Sequence, residues 1–157
     1  MKVIKILLLT LLTIISLKAS VQNIKVSYTI VQTAGDSYVG DTTNQIYSIN
    51  TNLIGINNTI TIIDQYGDNS IELINGLTIS SSIIVSNELI LNLSNGAIVN
   101  IRRANTFSFD VGANRAIGLK GIKEDFNTFV TNTLGLVSVP LTGDAPVYGS
   151  EVKIPNY

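Results

Sequence analysis

Acidic and amide side chains at two polar turns are the residues whose types and spacing could do chemistry, namely the binding of a hard cation. Asp64, Asp68 and Asn69 lie around a Gly turn in the run IIDQYGDNS, and oxygen ligands at this spacing suit Ca²⁺. Asp36 and Asp41 form a second, similar cluster. The same residue types also build Asx-turns, and neither cluster has the spacing of an EF-hand. We predict a metal site at Asp64, Asp68 and Asn69, with turn formation as the alternative.

Carboxylates can also act as a pair in glycoside hydrolysis, and Glu72 and Glu88 are the candidates. Such a pair needs its carboxyl groups ~5–9.5 Å apart, which sequence spacing does not define. Glu72 alternates with Ile71 and Leu73, which predicts that it faces solvent. The chain has no His and no Cys, which excludes a Ser-His-Asp triad, a thiol nucleophile and disulfides. We therefore predict a protein without enzymatic activity, with a carboxylate-dependent, glycan-active enzyme as an alternative.

Arginine and tyrosine side chains offer two further binding chemistries. Arg102 and Arg103 end a predicted strand, with Arg115 further along the chain. An Arg pair can hold a carboxylate or phosphate, and a solvated strand end is the alternative. Tyr rings can stack on sugars or anchor partners, with packing at the edge of the core as the alternative. The tyrosines are Tyr28, Tyr38, Tyr47, Tyr66, Tyr148 and Tyr157. They make a secreted carbohydrate-binding module the first alternative function.

The elements that must position these residues are mainly β-strands. Apolar residues occupy every second position of several short runs, and Asn, Gly, Asp and Ser separate these runs every ~8–12 residues. The predicted strands cover residues 24–30, 45–49, 59–63, 71–73, 77–79, 89–93, 97–101 and 106–111. Asn95-Gly96 suits a type I′ turn, so residues 89–93 and 97–101 are predicted to form a hairpin. The loose spacing predicts an antiparallel β-sandwich or a short irregular β-coil.

One helix and an extended tail complete the predicted fold. Phe126, Phe129, Val130 and Leu134 share one face at helical spacing, between an Asp125 N-cap and a Gly135 stop. This short amphipathic helix is expected to cover one open face or end of the β core. The tail contains all three prolines of the chain, which predicts an extended arm or an edge strand.

The organisation of the chain predicts export. Residues 1–20 combine Lys2 and Lys5 with a 12-residue apolar run, the pattern of a signal peptide, with an uncleaved N-terminal anchor as the alternative. Its removal leaves 7 basic and 11 acidic residues, a net charge of 7 − 11 = −4. This balance argues against nucleic acid and anionic membranes as partners. We expect an N-terminal strand and linker at 21–44, a β domain with its helix at 45–135, and a tail at 136–157.

A succession of short motifs in residues 67–101 carries a family resemblance. After a strand at 71–74 come Gly76-Leu77-Thr78, a Leu-x-Leu-x-Leu-like strand after Asn87, the Asn95-Gly96 turn and a Val-x-Ile strand at 99–101. This order resembles the haemolysin-type calcium-binding related module of RTX-type exported bacterial proteins. The nonapeptide repeats of that family are absent, so the resemblance assigns no calcium ligand. It implies a bacterial adhesin or extracellular-matrix protein.

These observations together predict a secreted, non-enzymatic β protein of the cell surface or extracellular matrix. Its expected partners are copies of itself, other surface proteins or extracellular polysaccharide. An alternating strand ahead of a polar linker can pair with a neighbouring subunit, or it can fold back on its own sheet. Calcium is the one cofactor that the acidic turns suggest.

Overall fold

The computed structural model describes residues 25–33, 36–54 and 59–157. The predicted signal peptide, residues 1–20, lies outside these ranges, as does Ile24 at the start of the first predicted strand. Within the described ranges, no helix has the length and apolar character needed to cross a membrane.

Twelve strands and one short helix make up the described part of the chain. The strands are β1 (Val26–Thr33), β2 (Ser37–Val39), β3 (Asn44–Ile54), β4 (Thr59–Ile63), β5 (Asn69–Ile74), β6 (Thr78–Val85), β7 (Glu88–Leu93), β8 (Ile98–Arg102), β9 (Phe107–Ala113), β10 (Ile122–Asp125), β11 (Val147–Gly149) and β12 (Val152–Lys153). The first sheet has the order β1-β3-β5-β9-β10, and the second has the order β11-β6-β7-β8-β4-β2 with β12 also pairing with β6.

The chain coils between the two sheets, because successive strands from β1 to β5 alternate between them. Parallel pairs therefore join β1 to β3, β3 to β5 and β5 to β9 in one sheet, and β2 to β4 and β4 to β8 in the other. Partners in register are 44 − 26 = 18 residues apart for β1 and β3, and 70 − 46 = 24 for β3 and β5. The coils differ in length, which explains why the sequence has no strict repeat.

A three-stranded antiparallel excursion, β6-β7-β8, interrupts the coil before β8 takes its place beside β4. The predicted hairpin of residues 89–93 and 97–101 is confirmed by β7 and β8, in which Leu89 pairs with Ile101. The turn is not type I′, because Gly96 (φ 87°) but not Asn95 has a positive φ. The Asn95 side chain accepts a hydrogen bond from the Ala97 N–H, which stabilises a three-residue turn with glycine in the left-handed conformation.

The helix lies where the spacing of its apolar residues predicts it. α1 begins as an α-helical turn at Phe126–Thr128 and continues as a π-helix at Phe129–Thr133. Asp125 caps it by accepting the Thr128 N–H at 2.7 Å, and Gly135 takes the positive φ expected of a helix stop. The Phe129 ring stacks on Phe109 of β9, with ring centroids 4.2 Å apart. The helix therefore covers the core at the β9 end of the coil.

The core lies between the two sheets. Its largest fully buried side chains come from both sheets and from α1: Tyr47, Ile49, Ile60, Ile62, Ile71, Leu73, Ile79, Ile84, Leu89, Leu91, Phe109 and Phe129. Each aliphatic or Phe side chain buried in this way contributes roughly 1.5–3 kcal/mol relative to exposure. The tail also contributes, because Ile154 is fully buried and its backbone bonds Leu77 and Gly76.

The predicted mainly β fold with one short C-terminal helix is confirmed. Of the two predicted architectures, the antiparallel β-sandwich and the short irregular β-coil, the coil describes the observed strand order. Among the twelve described strands, antiparallel pairing joins β6, β7 and β8 to one another, β10 to β9, and β11 and β12 to β6. The polar segment 32–44, expected to be a linker, contains β2, which pairs with β4. β1 folds back onto its own chain and pairs with β3.

Candidate functional site

Glu72 is buried, which corrects the prediction that it faces solvent. Its side chain is 0% exposed, and every residue of β5 from Asn69 to Leu73 is buried. Ile71 and Leu73 belong to the core, so the alternation along β5 directs Glu72 to the outer face of the first sheet. The expected alternation is present, but a loop covers the face on which Glu72 lies.

The covering loop, residues 114–121, connects β9 to β10 and brings Arg115 over two carboxylates. Glu72 of β5 and Asp110 of β9 are partners in the parallel register. The Arg115 Nη2 lies 2.7 Å from Asp110 Oδ2, and its Nε lies 2.9 Å from Glu72 Oε2. The Nη2 contact is a well-directed hydrogen bond, whereas the Nε contact is an ion pair of poorer alignment. One guanidinium thus bridges two strands.

Two hydroxyl groups hold the other oxygen of Glu72. The Tyr28 and Ser48 hydroxyls each donate to Glu72 Oε1 at 2.9 Å, from β1 and β3 respectively. Burial raises the pKa of the Tyr28 phenol, and the hydrogen bond to Glu72 raises it further, while the bond with Ser48 lowers it. The cluster of Glu72, Asp110, Arg115, Tyr28 and Ser48, called here the outer-face cluster, therefore links four neighbouring strands and the covering loop.

A cavity of about 450 Å³ adjoins the outer-face cluster. Asp110 and Arg115 line it together with Lys120, and the rest of the lining comes from the covering loop and Ala113. Both Glu72 oxygens face protein groups, so Glu72 ties the covering loop to the sheet through Arg115.

Asp64 lies in a second buried network, between the sheets. Its Oδ2 accepts the Tyr47 hydroxyl at 2.9 Å, and this hydroxyl is also 2.7 Å from Gln45 Oε1. Burial raises the pKa of the Tyr47 phenol far above its ordinary value, and the bond with Asp64 adds to the effect. A Cβ at Gly40 would overlap the Asp64 carboxylate, so any other residue there would displace the Asp64 side chain. Asp64 is thus enclosed by its own chain.

The other two predicted metal ligands have different environments. Asp68 is exposed, whereas Asn69 is buried and its Oδ1 accepts the Gln45 N–H at 2.9 Å. Of the second cluster, Asp41 Oδ1 accepts both the N–H and the hydroxyl of Thr43, which lowers the pKa of Asp41. Within residues 25–33, 36–54 and 59–157, no group of three or more acidic side chains could hold a metal ion. Calcium binding by Asp64, Asp68 and Asn69 stays a prediction.

The second glutamate considered for catalysis lies in the other sheet. Glu88 begins β7, where its carboxylate is 3.8 Å from the Arg102 Nε in an exposed pair. Arg103 bonds Gln65 at 2.9 Å, so the three arginines serve three separate contacts. The structure therefore pairs Glu72 with Asp110 and not with Glu88. Sequence spacing carried no signal for this pairing, because the two residues meet only through the parallel register of β5 and β9.

The tyrosines divide between the interior and separate surface segments. Tyr47 is buried, Tyr38 packs partly against the core, and Tyr28 reaches Glu72. Tyr66, Tyr148 and Tyr157 are exposed, but they lie on the turn before β5, on β11 and beyond β12. They do not come from one element that would present them as a common platform.

One end of the coil presents the terminal strands of both sheets. β1 and β2 are the outermost strands of the first and second sheets at this end, and no other described strand pairs with their outer edges. Their exposed aliphatic residues are Val26, Ile30 and Val39, which are 53%, 42% and 72% exposed, and Tyr28 of β1 is also exposed. This open end, defined by β1 and β2, contrasts with the β9 end, which α1 covers.

Comparison with known proteins adds no family to this description. The chain matches no family model, no curated protein and no solved structure. The resemblance of residues 67–101 to the RTX-related module therefore stays a prediction.

Proposed function

We propose that this chain is an exported, non-enzymatic β-coil protein that assembles at the cell surface or in the extracellular matrix through its open end. The observation that carries the proposal is the position of β1 and β2, which end both sheets on the same side of the coil. Edge strands present rows of N–H and C=O groups that can pair with another chain. Two such edges, one in each sheet, allow a partner to extend both sheets at once.

The side chains of β1 and β2 favour pairing of these strands with another chain over a monomeric protein. Proteins that remain monomeric commonly place charges or proline on edge strands. β1 from Val26 to Thr33 (VSYTIVQT) and β2 (SYV) contain neither. Val26, Ile30 and Val39 would bury apolar surface on assembly. A second copy of the chain or another surface protein would supply the pairing strand.

The state of the carboxylates supports a role without catalysis. Glu72 is bound by two hydroxyls and one guanidinium, Asp64 by Tyr47, and Glu88 lies beside Arg102. Each is thus matched with a group of its own chain.

Solution mass measurements test the proposed assembly. We expect the mass of the secreted chain, measured by light scattering after size exclusion, to rise with protein concentration. Changing Val26→Lys together with Ile30→Lys puts two charges on β1 and should keep the protein monomeric. The matched control is Val137→Lys, at a residue that is 96% exposed outside both sheets. A monomeric wild type at every concentration, or assembly that survives the double change, would contradict the proposal.

A further inference from the structure

We propose that a second cavity, beside the β6–β7 turn, binds a neutral carbohydrate, which goes beyond the proposed assembly and does not depend on it. The cavity has a volume of about 430 Å³. It is formed where the β6–β7 turn, the 3₁₀ turn at Ala104–Thr106, α1 and residues 139–142 meet. No charged side chain is among the described residues that line it.

Three asparagine side chains give this amide cavity its chemistry. Asn87, Asn105 and Asn127 line it, each from a different element. All three are exposed, and none of their side-chain amides bonds another residue of the described chain, although the Asn87 carbonyl accepts the Ala104 N–H at 2.7 Å. An amide offers two N–H donors and one acceptor oxygen, which match hydroxyl groups that both donate and accept. A ligand with several hydroxyl groups and no charge fits this lining.

An apolar wall shares the cavity with the amides. It consists of the consecutive residues Val139, Pro140 and Leu141, and Phe126 of α1 also belongs to the lining. Binding sites for small molecules commonly combine an apolar surface with a few convergent polar groups. A sugar ring presents C–H groups on its faces and hydroxyls at its edge, so it can contact the wall and the amides together. A polar ligand without such a face would leave the apolar wall in water.

The backbone around the cavity is fixed by turn geometry and hydrogen bonds. Ser86 (φ 57°) and Arg103 (φ 55°) are the only non-glycine residues of the described ranges with positive φ. Ser86 lines the cavity beside Asn87, and Arg103 precedes Asn105 by two residues. At Ser86 the two-residue turn between Val85 and Glu88 requires this conformation, which fixes the rim of the cavity. The Ser86 and Thr142 hydroxyls, 3.1 Å apart, join the turn to the wall.

Binding of uncharged oligosaccharides tests the site. The probes are a cellohexaose, xylohexaose, maltohexaose and chitohexaose panel, with alginate as an anionic comparison, measured by calorimetry and by NMR of ¹⁵N-labelled protein. We expect one or more neutral probes to bind and to shift the side-chain amide signals of Asn105 and Asn127. Changing Asn105→Ala with Asn127→Ala should weaken binding about ten-fold or more, because the hydrogen bonds of two amide groups are lost. Asn132→Ala, an exposed asparagine of α1 outside the cavity, is the matched control and should bind normally.

Three results would overturn the carbohydrate site. They are no binding by any neutral probe, binding of alginate alone, and neutral binding that the double change leaves intact while its circular dichroism and Tm match the wild type. The Val26→Lys, Ile30→Lys protein separates this inference from assembly, since it should still bind the probe as a monomer.

Discussion

Glu72 is a fully buried carboxylate whose charge is matched by Arg115 across the outer face of the first sheet. Removing a charged side chain from water costs several kcal/mol unless its partners are well placed. The Tyr28 and Ser48 hydroxyls supply two of those partners, and the guanidinium supplies the compensating charge. The few charged side chains of this cluster are thus used for contacts within the chain.

Changing Arg115→Ala should lower the free energy of unfolding by about 3 kcal/mol. Removing one partner of a buried pair costs roughly 3–5 kcal/mol, and the lower end applies because the Arg115 side chain is 49% exposed. Urea unfolding followed by circular dichroism measures the change. Arg102→Ala, in the exposed pair 3.8 Å from Glu88, is the control and should cost less than about 1 kcal/mol. If both variants lost the same free energy of unfolding, the outer-face cluster would stabilise the fold no more than an exposed ion pair does.

Calcium binding by Asp64, Asp68 and Asn69 is a prediction that a measurement of Tm with and without Ca²⁺ can test. Ca²⁺ at Asp64, Asp68 and Asn69 would have to replace the bonds from Tyr47 and from the Gln45 N–H. An ion that binds only the folded chain stabilises it by mass action, so excess Ca²⁺ should raise Tm relative to a chelator. Asp68→Ala should abolish that rise. An identical Tm in calcium and chelator would rule out a stabilising native site.

At the scale of elements, α1 depends on its N-cap. The Thr128 N–H donates to Asp125 and thereby lowers the pKa of this carboxyl below its ordinary 3.8. A lowered folded-state pKa means that the ionised cap stabilises the fold above about pH 4. That stabilisation is lost as the pH falls through the lowered pKa. The start of α1 is therefore one acid-sensitive point of the fold, as is the turn at Asp41, whose pKa is also lowered.

Changing Asp125→Ala should lower Tm by a few degrees at neutral pH, and the difference from wild type should shrink as the pH falls below about 3.8. Asp125→Asn keeps a capping oxygen without an ionisable group, so it should retain most of the stability. Thermal unfolding between pH 2 and pH 7 measures both. A gap that is constant over this whole range would show that the ionised cap is not the cause.

The whole molecule is a two-sheet coil, and its C-terminal tail contributes a residue to the core. Ile154 is fully buried beside the β5–β6 turn, and β11 and β12 pair with β6. The proline-containing segment thus adds an edge to the second sheet and closes the core. Assembly through β1 and β2 would extend the coil at its other end.

Changing Ile154→Ala should cost about 2–5 kcal/mol of unfolding free energy, because it removes buried methyl groups and leaves a cavity. Val137→Ala, at an exposed position of the same C-terminal tail, should change stability by less than about 0.5 kcal/mol. Chemical denaturation compares them directly. If Ile154→Ala is as mild as the control, the tail is not part of the cooperative core.

The sequence alone determined the local structure of this chain. Alternation predicts most strands, Asn95-Gly96 predicts the β7–β8 hairpin, and the spacing from Phe126 to Leu134 with Asp125 and Gly135 predicts α1. These features depend on residues close together in the chain. Their backbone preferences and the spacing of their apolar residues can be identified from the sequence. The β2 strand was missed because three residues with little alternation carry too weak a pattern.

Only the tertiary structure decided which residues meet. The parallel register of β5 and β9 brings Glu72 to Asp110, 110 − 72 = 38 residues away, and the loop at 114–121 then covers both. The same holds for the amide cavity, whose three asparagines come from three elements. Alternation indicates on which face of a strand a side chain lies, but what covers that face depends on contacts between distant segments. The burial of Glu72, the ties of Arg115 and the open end at β1 and β2 are therefore properties of the folded coil.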